Sequence, residues 1–323
     1  MQTLDFRAMS ANVLLAAEGH DWADYGLQAT RAYIEESERR FSRFLPDSEL
    51  SQLNRAAGIW FTASDDLMDM LEQSLDFYKE TGGLFDPSIL PDLKRVGYDK
   101  SIDEIRAQGK VDAPASARTL RHSLWSQGNA LRPAFGEMSL DPAGRRVRLP
   151  AGMEIDLGGI AKGWIVEKAA HLLSGYAAVC AVSIGGDMVF EGYPMDGSDW
   201  RVNIEDPRDP TQTAAALHVG PGAVVTSSIA KRSWNQGGQM RHHLIDPRIG
   251  EPVQTDWLSV TVIAPQITTA EVYAKALLIG GDGQAAQLAA QRPEIAYFVI
   301  KSDGALSGSE NSREYLNDFS YIQ

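Results

Sequence analysis

Apolar positions at residues 8–17 predict a first strand. From Asp21 to Arg40, Ala23, Leu27, Ala32 and Ile34 are interleaved with charges, the pattern of a helix with one buried stripe. Phe41-Ser42-Arg43-Phe44-Leu45-Pro46-Asp47-Ser48 breaks that helix, because a proline followed by Asp and Ser is turn chemistry. Ser64 to Tyr78 predicts a second helix. Asp65 and Asp66 fall in its first turn, where carboxylates suit the dipole, and Gly82-Gly83 stops it. Residues 99–130 are weakly patterned, with a loop at Asp112-Ala113-Pro114. After 135 short β-rich runs recur: Arg145–Leu149, Met153–Leu157, Val179–Ile184, Trp200–Ile204, Ala223–Thr226, His242–Ile245, Val260–Ala264 and Ile295–Ile300. Helical patterns at 160–173, 268–279 and 283–291 interrupt them. Strands with a few separated helices predict an α+β fold rather than a strictly alternating parallel sheet. No 20–50-residue repeat and no low-complexity tract is visible.

The chain has 323 residues, enough for one large domain or two modest ones and for a core that needs no staples. The expectation is one domain over 1–323, or two intimately packed α/β subdomains with a break near 130–150. Forty-three acidic against 30 basic residues leave a net charge of −13, which argues against nucleic acid as a partner. A small anion stays open, because local dipoles and single cations outweigh a diffuse field at short range. The single cysteine, Cys180, cannot form an intrachain disulfide. It lies in the apolar run Ala177-Ala178-Val179-Cys180-Ala181-Val182 and reads as a buried structural thiol. No run approaches the ~18 apolar residues of a membrane span. Val13 to Ala17 is too short for a signal-peptide core, so the expectation is a cytoplasmic protein with no membrane partner.

Several local features could carry chemistry. In Glu154-Ile155-Asp156-Leu157-Gly158-Gly159-Ile160-Ala161-Lys162-Gly163 a strand ends, two glycines turn, and a helix begins. Free N–H groups at a helix start attract anions. Lys162 sits where the dipole is already positive, which makes more sense beside an anion. The spacing is not that of a Walker loop, since Lys precedes Gly and no Ser or Thr follows. A plain strand–turn–helix joint with an exposed lysine accounts for the same residues. Ser183-Ile184-Gly185-Gly186-Asp187 follows another apolar strand and reads alone as a turn. In Arg241-His242-His243-Leu244-Ile245-Asp246-Pro247 two histidines are adjacent in a strand, so only one can face a given site. That one could act as a general base, or be an ordinary strand histidine. Thr81-Gly82-Gly83-Leu84-Phe85-Asp86-Pro87 puts an aromatic after a helix stop, for stacking on a ring or for the core. In Thr268-Thr269-Ala270-Glu271-Val272-Tyr273-Ala274-Lys275, either threonine can cap a helix. Glu271 and Lys275 stand at i, i+4, the spacing of a surface salt bridge.

The order of these features carries more than any one of them. Arg7-Ala8-Met9, Phe41-Ser42-Arg43-Phe44 with Pro46, Ser48-Glu49-Leu50, Leu53-Asn54 and Gly83-Leu84-Phe85-Asp86-Pro87 come first. Asp156-Leu157-Gly158-Gly159-Ile160-Ala161-Lys162-Gly163, Ile184-Gly185-Gly186-Asp187, Thr226-Ser227 and His243-Leu244-Ile245-Asp246-Pro247 with Gly250 follow, ahead of the 270–280 helix. Over nearly its whole length the sequence resembles the FAD:protein FMN transferase family, the ApbE-type flavin transferases.

The resemblance implies mixed, largely antiparallel sheets with packed helices. It implies an enzyme that cleaves the FAD pyrophosphate and attaches FMN to a Ser or Thr hydroxyl of an acceptor protein, releasing AMP. Met9, Phe44, Leu84, Phe85, Asp86, Asp156, Lys162, Thr226, Leu244 and Lys275 would hold FAD. His243 would be the base or polariser, with Lys162 taking up developing charge. The family's Mg²⁺ ligands would fall on Gly159, through its carbonyl, and on Glu271. The family's Asp and Thr on the late helix are here Glu271 and Lys275. An ammonium cannot ligate Mg²⁺, so the expected metal site is weakened and Lys275 stands in the cation's place. Phe44 replaces a frequent tyrosine, Ser228 a usual glycine, and Ser10-Ala11 a usual Gly-Thr. A flavin-binding homologue without transfer, and an FAD pyrophosphatase giving FMN and AMP, are the two competing readings.

Overall fold

The computed structural model describes residues 1–107 and 132–316. The loop expected at Asp112-Ala113-Pro114 lies outside the described residues. The chain begins with a hairpin in which β1 (Gln2–Ala8) pairs antiparallel with β2 (Ala11–Glu18). The single strand predicted over 8–17 is therefore mostly the second arm of that hairpin. It bends at Met9-Ser10, both with positive φ (53° and 54°), the twist that two-residue hairpin turns require. Neither residue is the Gly or Asn that announces such a turn in a sequence.

α1 (Ala23–Phe41) buries Leu27, Thr30, Ile34, Ser37 and Phe41, one stripe at three- and four-residue steps. After the Pro46 turn, Ser48 caps α2 (Glu49–Arg55), its hydroxyl accepting from the Ser51 N–H at 3.0 Å. Ser64 caps α3 (Asp65–Glu80) in the same way, accepting from the Leu67 N–H at 3.2 Å. β3 (Phe61–Thr62), β4 (Ser139–Asp141) and β5 (Arg146–Arg148) form a small antiparallel sheet. Short α4 (Leu90–Arg95) and α5 (Ile102–Ala107) lead out of the 83–89 loop, and α6 (Ala161–Ser174) follows the Gly158-Gly159 turn.

The remaining strands are β6 (Val179–Ile184), β7 (Asp187–Glu191), β8 (Trp200–Asp206), β9 (Asp209–Val219), β10 (Gly222–Ser228), β11 (Ser233–Gln236) and β12 (Gln239–His242). β13 (Ile245–Asp246), β14 (Glu251–Pro252), β15 (Trp257–Ala264), β16 (Ala296–Lys301) and β17 (Leu306–Gly308) complete them. α7 (Ile267–Gln291) crosses between β15 and β16 and is broken at Gly281, whose backbone (φ 56°, ψ −161°) is not helical, so the two helices predicted at 268–279 and 283–291 lie on either side of that kink. Eight strands make the main sheet in the order β1-β2-β6-β7-β10-β15-β16-β17, every neighbouring pair antiparallel. The fold is α+β.

Strand alternation divides this sheet's two faces. Ala223 and Val225 of β10 and Val260 and Val262 of β15 join the core formed with α1, α6 and α7. Val224, Ile263, Phe298 and Ile300 face the other way and pack with Val202, Ile204, Leu217 and Val219 of the β8–β9 ribbon.

Two expected strands are not strands. Met153, Ile155 and Leu157 are buried, but the Asn54 side chain takes both backbone groups of Ile155, donating to its carbonyl at 2.9 Å and accepting from its N–H at 2.8 Å. The Asp156 N–H donates to the Pro87 carbonyl at 2.8 Å. The alternation there reflects burial without a partner strand. His242–Ile245 likewise breaks, since β12 ends at His242 and β13 begins at Ile245.

Candidate functional site

α6 starts without a side-chain cap of its own. Its N-cap residue is Ile160, and the cap arrives from α7: Glu271 Oε2 accepts the Gly163 N–H at 2.6 Å. Position 163 must be glycine for this approach, because a Cβ there would stand 2.8 Å from Glu271 Oε2 and 3.1 Å from the Ile267 carbonyl. Glu271 is 0% exposed, and its second oxygen accepts from Lys275 Nζ at 3.0 Å. Lys275 is itself nearly buried, so the i, i+4 pair is not the surface bridge that its spacing suggests. Burial pushes the Glu271 carboxyl up. The Lys275 and Lys162 ammoniums and the Gly163 N–H outweigh it and hold the group below its ordinary value. Neither threonine caps α7. Its N-cap residue is Gln266, and the Thr268 hydroxyl donates to Glu167 Oε2 at 3.2 Å.

Lys162, in the first turn of α6, is not free. Its ammonium contacts the Asp187 carboxylate, which is 2% exposed. Gly185 and Gly186, both in the left-handed region (φ 64° and 92°), make the turn that sets Asp187 at the start of β7. Asp187 also accepts the Thr226 N–H at 3.4 Å. Burial pushes the Lys162 ammonium down to about 7, while the Glu271 carboxylate pulls it back up. The Asp187 contact favours the same charged form.

His243 sits in the gap between β12 and β13. Its N–H donates to the Arg232 carbonyl at 3.3 Å, and the next residue's carbonyl accepts from the Val253 N–H at 2.9 Å, which holds the gap open. His242 faces away from the cleft, its Nε2 3.1 Å from the Val253 carbonyl. Burial holds the His243 imidazole well below its ordinary value, and the nearby Arg232, His242 and Lys275 charges add to this. The ring is therefore neutral at neutral pH. Its buried Nδ1 has no hydrogen-bond partner among the described residues.

An aromatic wall faces these groups. The Arg43 guanidinium lies 4.1 Å from the centre of Phe44 and 4.8 Å from that of Tyr98. Arg43 also donates to the Tyr98 carbonyl at 2.7 Å and approaches Asp156 at 3.4 Å. Tyr98 stacks on Trp234 (5.2 Å, 21°) and meets His243 edge-on at 6.4 Å. The third wall follows α3, where the Thr81 hydroxyl accepts the Phe85 N–H at 3.1 Å. Asp86 accepts from the Ser88 N–H at 2.8 Å and pairs with Arg132 at 3.0 Å.

Met9, Phe44, Leu84, Phe85, Asp86, Asp156, Gly159, Lys162, His243, Leu244 and Lys275 line one cleft. Of the expected site residues, Glu271 lies behind that wall and Thr226 lies elsewhere. The Thr226 hydroxyl shares a hydrogen bond with Thr261 at 2.9 Å in a separate groove. Sequence reasoning did not single out Arg43, Tyr98, Asp187 or Arg232 as site residues. Asp187 and Arg43 stand inside conspicuous motifs, whereas Tyr98 and Arg232 have no local signal.

The donors at the expected metal position do not fit Mg²⁺. Each Glu271 oxygen already accepts a hydrogen bond, and Lys275 offers only donors. The Lys275 Cδ lies 3.7 Å from where a Cβ on Gly159 would stand, so its stem runs beside the turn that would supply the carbonyl. Among the described residues no three His, Cys, Asp or Glu side chains gather as a metal site.

A cleft with two lysines, two arginines, a neutral imidazole and an aromatic wall can take a phosphorylated ligand that carries a flat ring. The chain belongs to the ApbE family, whose profile matches residues 8–299. An FAD:protein FMN transferase of Treponema pallidum is 30% identical over 314 residues, covering 91% of this chain and 81% of that protein. The Vibrio cholerae protein of the same name is 26% identical over 275 residues, 84% of this chain and 78% of its own. The fold matches the crystal structure of the Thermotoga maritima ApbE protein with TM-score 0.81 at 21% identity, covering 98% and 99% of the two chains. It matches the Vibrio cholerae flavin transferase ApbE with TM-score 0.78 at 22% identity, with the same coverage. No helix among the described residues is long and apolar enough to cross a membrane.

Proposed function

We propose that this chain is an FAD:protein FMN transferase, which cleaves the FAD pyrophosphate and esterifies FMN to a Ser or Thr hydroxyl of an acceptor protein. The observation that carries the reading is the convergence of Lys162, Lys275 and the neutral His243 on one cleft with an aromatic wall. The names of the relatives support it.

In the proposed reaction the flavin ring lies along Phe44, Phe85 and Leu84, and the pyrophosphate reaches the start of α6. Lys162 and Lys275 face the phosphate oxygens and stabilise the charge that builds up on them. His243, neutral and beside this position, takes the acceptor hydroxyl's proton. The hydroxyl oxygen bonds to the FMN phosphorus, the bridging P–O bond breaks, and AMP leaves with that bond's electron pair. Asp156 and Asp86 act through their partners, Asp156 by holding the Gly158 turn and Arg43, and Asp86 by fixing the loop after Phe85. Gly159 lets the turn close on Phe85, since a Cβ there would lie 2.9 Å from its ring. Mg²⁺ has no part in these steps, because the donor set does not suit it.

The test is incubation with FAD, with and without a Ser/Thr-bearing acceptor protein, followed by chromatography and mass spectrometry. Transfer predicts AMP and an acceptor heavier by one FMN residue, with little turnover when the acceptor is left out. FMN and AMP formed equally fast without acceptor would replace the reading by hydrolysis. FAD retained unchanged with acceptor present would replace it by binding alone.

A further inference from the structure

The cleft's cations are arranged in an unusual way for a protein of net charge −13. Two buried ion pairs meet at the start of α6, Lys275 with Glu271 and Lys162 with Asp187, and both lysines reach the cleft wall while both carboxylates stand behind it or at its base. Besides Arg43 in the aromatic wall, a further cation, Arg232, lines the same cleft, and its guanidinium has no ion-pair or hydrogen-bond partner among the described residues. An unpartnered arginine at the mouth of a cleft is suited to an anion. Both oxygens of Glu271 are spent on protein donors, one on the helix cap and one on Lys275. A divalent ion at that place would have to displace Lys275 and leave a second ammonium beside the incoming charge. The Lys275 stem also occupies the space beside Gly159.

We infer that Lys275, buttressed by Glu271, is the fixed counter-ion of the pyrophosphate, and that this chain binds and cleaves FAD without a divalent metal. The inference rests on the flavin reading above and adds to it the identity of the charge that does the metal's work. Lys162 and Arg232 share the load. Lys162 sits at the helix start with Asp187 holding it in place, and Arg232 lies next to the His243 segment. The bond changes are those already given: the acceptor oxygen attaches to the FMN phosphorus, the bridging bond opens, and the hydroxyl proton goes to His243. The negative charge shed onto AMP's phosphate faces ammonium and guanidinium groups instead of a metal. A positively charged side chain on a stiff helix needs no refilling from solution, which sets the expected behaviour of the wild-type chain.

FAD affinity, measured by fluorescence quenching in EDTA and then in millimolar Mg²⁺, should differ by less than about twofold. Turnover should be equally indifferent to EDTA. Lys275→Gln removes a charge-assisted contact and should weaken FAD binding by roughly tenfold or more, in either condition. Because that change also strips Glu271 of its partner, the double variant Glu271→Gln with Lys275→Met serves as a companion that keeps the Gly163 cap without a lone buried charge. It should fold, by circular dichroism, and show the same loss. The wild-type comparison needs no variant at all. The inference is overturned if Mg²⁺ tightens wild-type FAD binding or speeds turnover by about tenfold, or if the folded double variant binds FAD as wild type does. Failure to bind FAD under either condition overturns the flavin reading and this inference with it, whereas metal-strengthened binding overturns this inference alone.

Discussion

Glu271 on α7 caps the first turn of α6 by accepting the Gly163 N–H at 2.6 Å, more than a hundred residues away in the chain. One carboxylate thereby fixes the start of one helix and the ammonium of Lys275 together. Gly163→Ala tests the closeness of that packing. The new methyl would stand 2.8 Å from Glu271 Oε2 and 3.1 Å from the Ile267 carbonyl, so α6 has to shift. We expect a loss of about 1–3 kcal/mol in urea unfolding and a clear drop in FAD affinity, because Lys162 moves with the helix. Unchanged affinity would show that the start of α6 does not position the ligand.

Asp187 stands to Lys162 as Glu271 stands to Lys275. Asp187→Asn removes the carboxylate, and burial then acts on Lys162 with less opposition, favouring its neutral form. Breaking a buried pair costs on the order of 3 kcal/mol. The variant should therefore melt lower and bind FAD more weakly, with the loss relative to wild type largest just below pH 7, where the wild-type ammonium, pushed down to about 7, still holds its proton and the variant's does not, and shrinking as pH rises above 7. An equal loss at all pH values would assign Asp187 a purely structural part.

His243 should set the pH dependence of transfer. Its folded value lies well below 6.5, so the ring stays an unprotonated base as pH falls through that value. Transfer should therefore hold level down past 6.5 and decline only at more acidic pH. The same displacement bears on stability. Below about 6.5 the unfolded chain takes up a proton that the folded chain refuses, so His243 contributes a loss of stability as pH falls from there. His243→Gln should abolish transfer, leave FAD affinity within about threefold, and flatten that part of the stability profile. Transfer at the wild-type rate in this variant would remove His243 from the reaction.

Cys180 is buried, and burial pushes its thiol up to about 12. A thiolate-directed reagent should label none of the native protein and one thiol per chain after denaturation. Native labelling would mean that β6 opens readily.

Ser10 occupies the second position of the β1–β2 turn at φ 54°. Ser10→Gly should relieve roughly 1 kcal/mol of left-handed strain, partly offset by a more flexible unfolded chain. A small net rise in melting temperature is the expected result. A fall would show that the Ser10 side chain contributes to the cleft it lines.

Much of the architecture was legible in the sequence. Wherever an element pays for itself locally, its pattern appears in the residues: the stripe Leu27, Ile34, Phe41 of α1, the Ser64-Asp65-Asp66 start of α3, and the short β-rich runs of β6, β10, β15 and β16. Collinear motifs also brought eleven of the expected site residues to one cleft. What the sequence could not determine lies where distant segments satisfy one another. Asn54 supplies the hydrogen bonds of Ile155, so an alternating apolar run is no strand. Tertiary packing decided that Glu271 caps another helix instead of facing the cleft, and that its pair with Lys275 is buried. The same holds for Asp187 beneath Lys162 and for Arg232 and Tyr98 in the wall. Local propensity and periodicity are properties of a few adjacent residues, whereas burial and charge pairing depend on which segments the whole fold brings into contact.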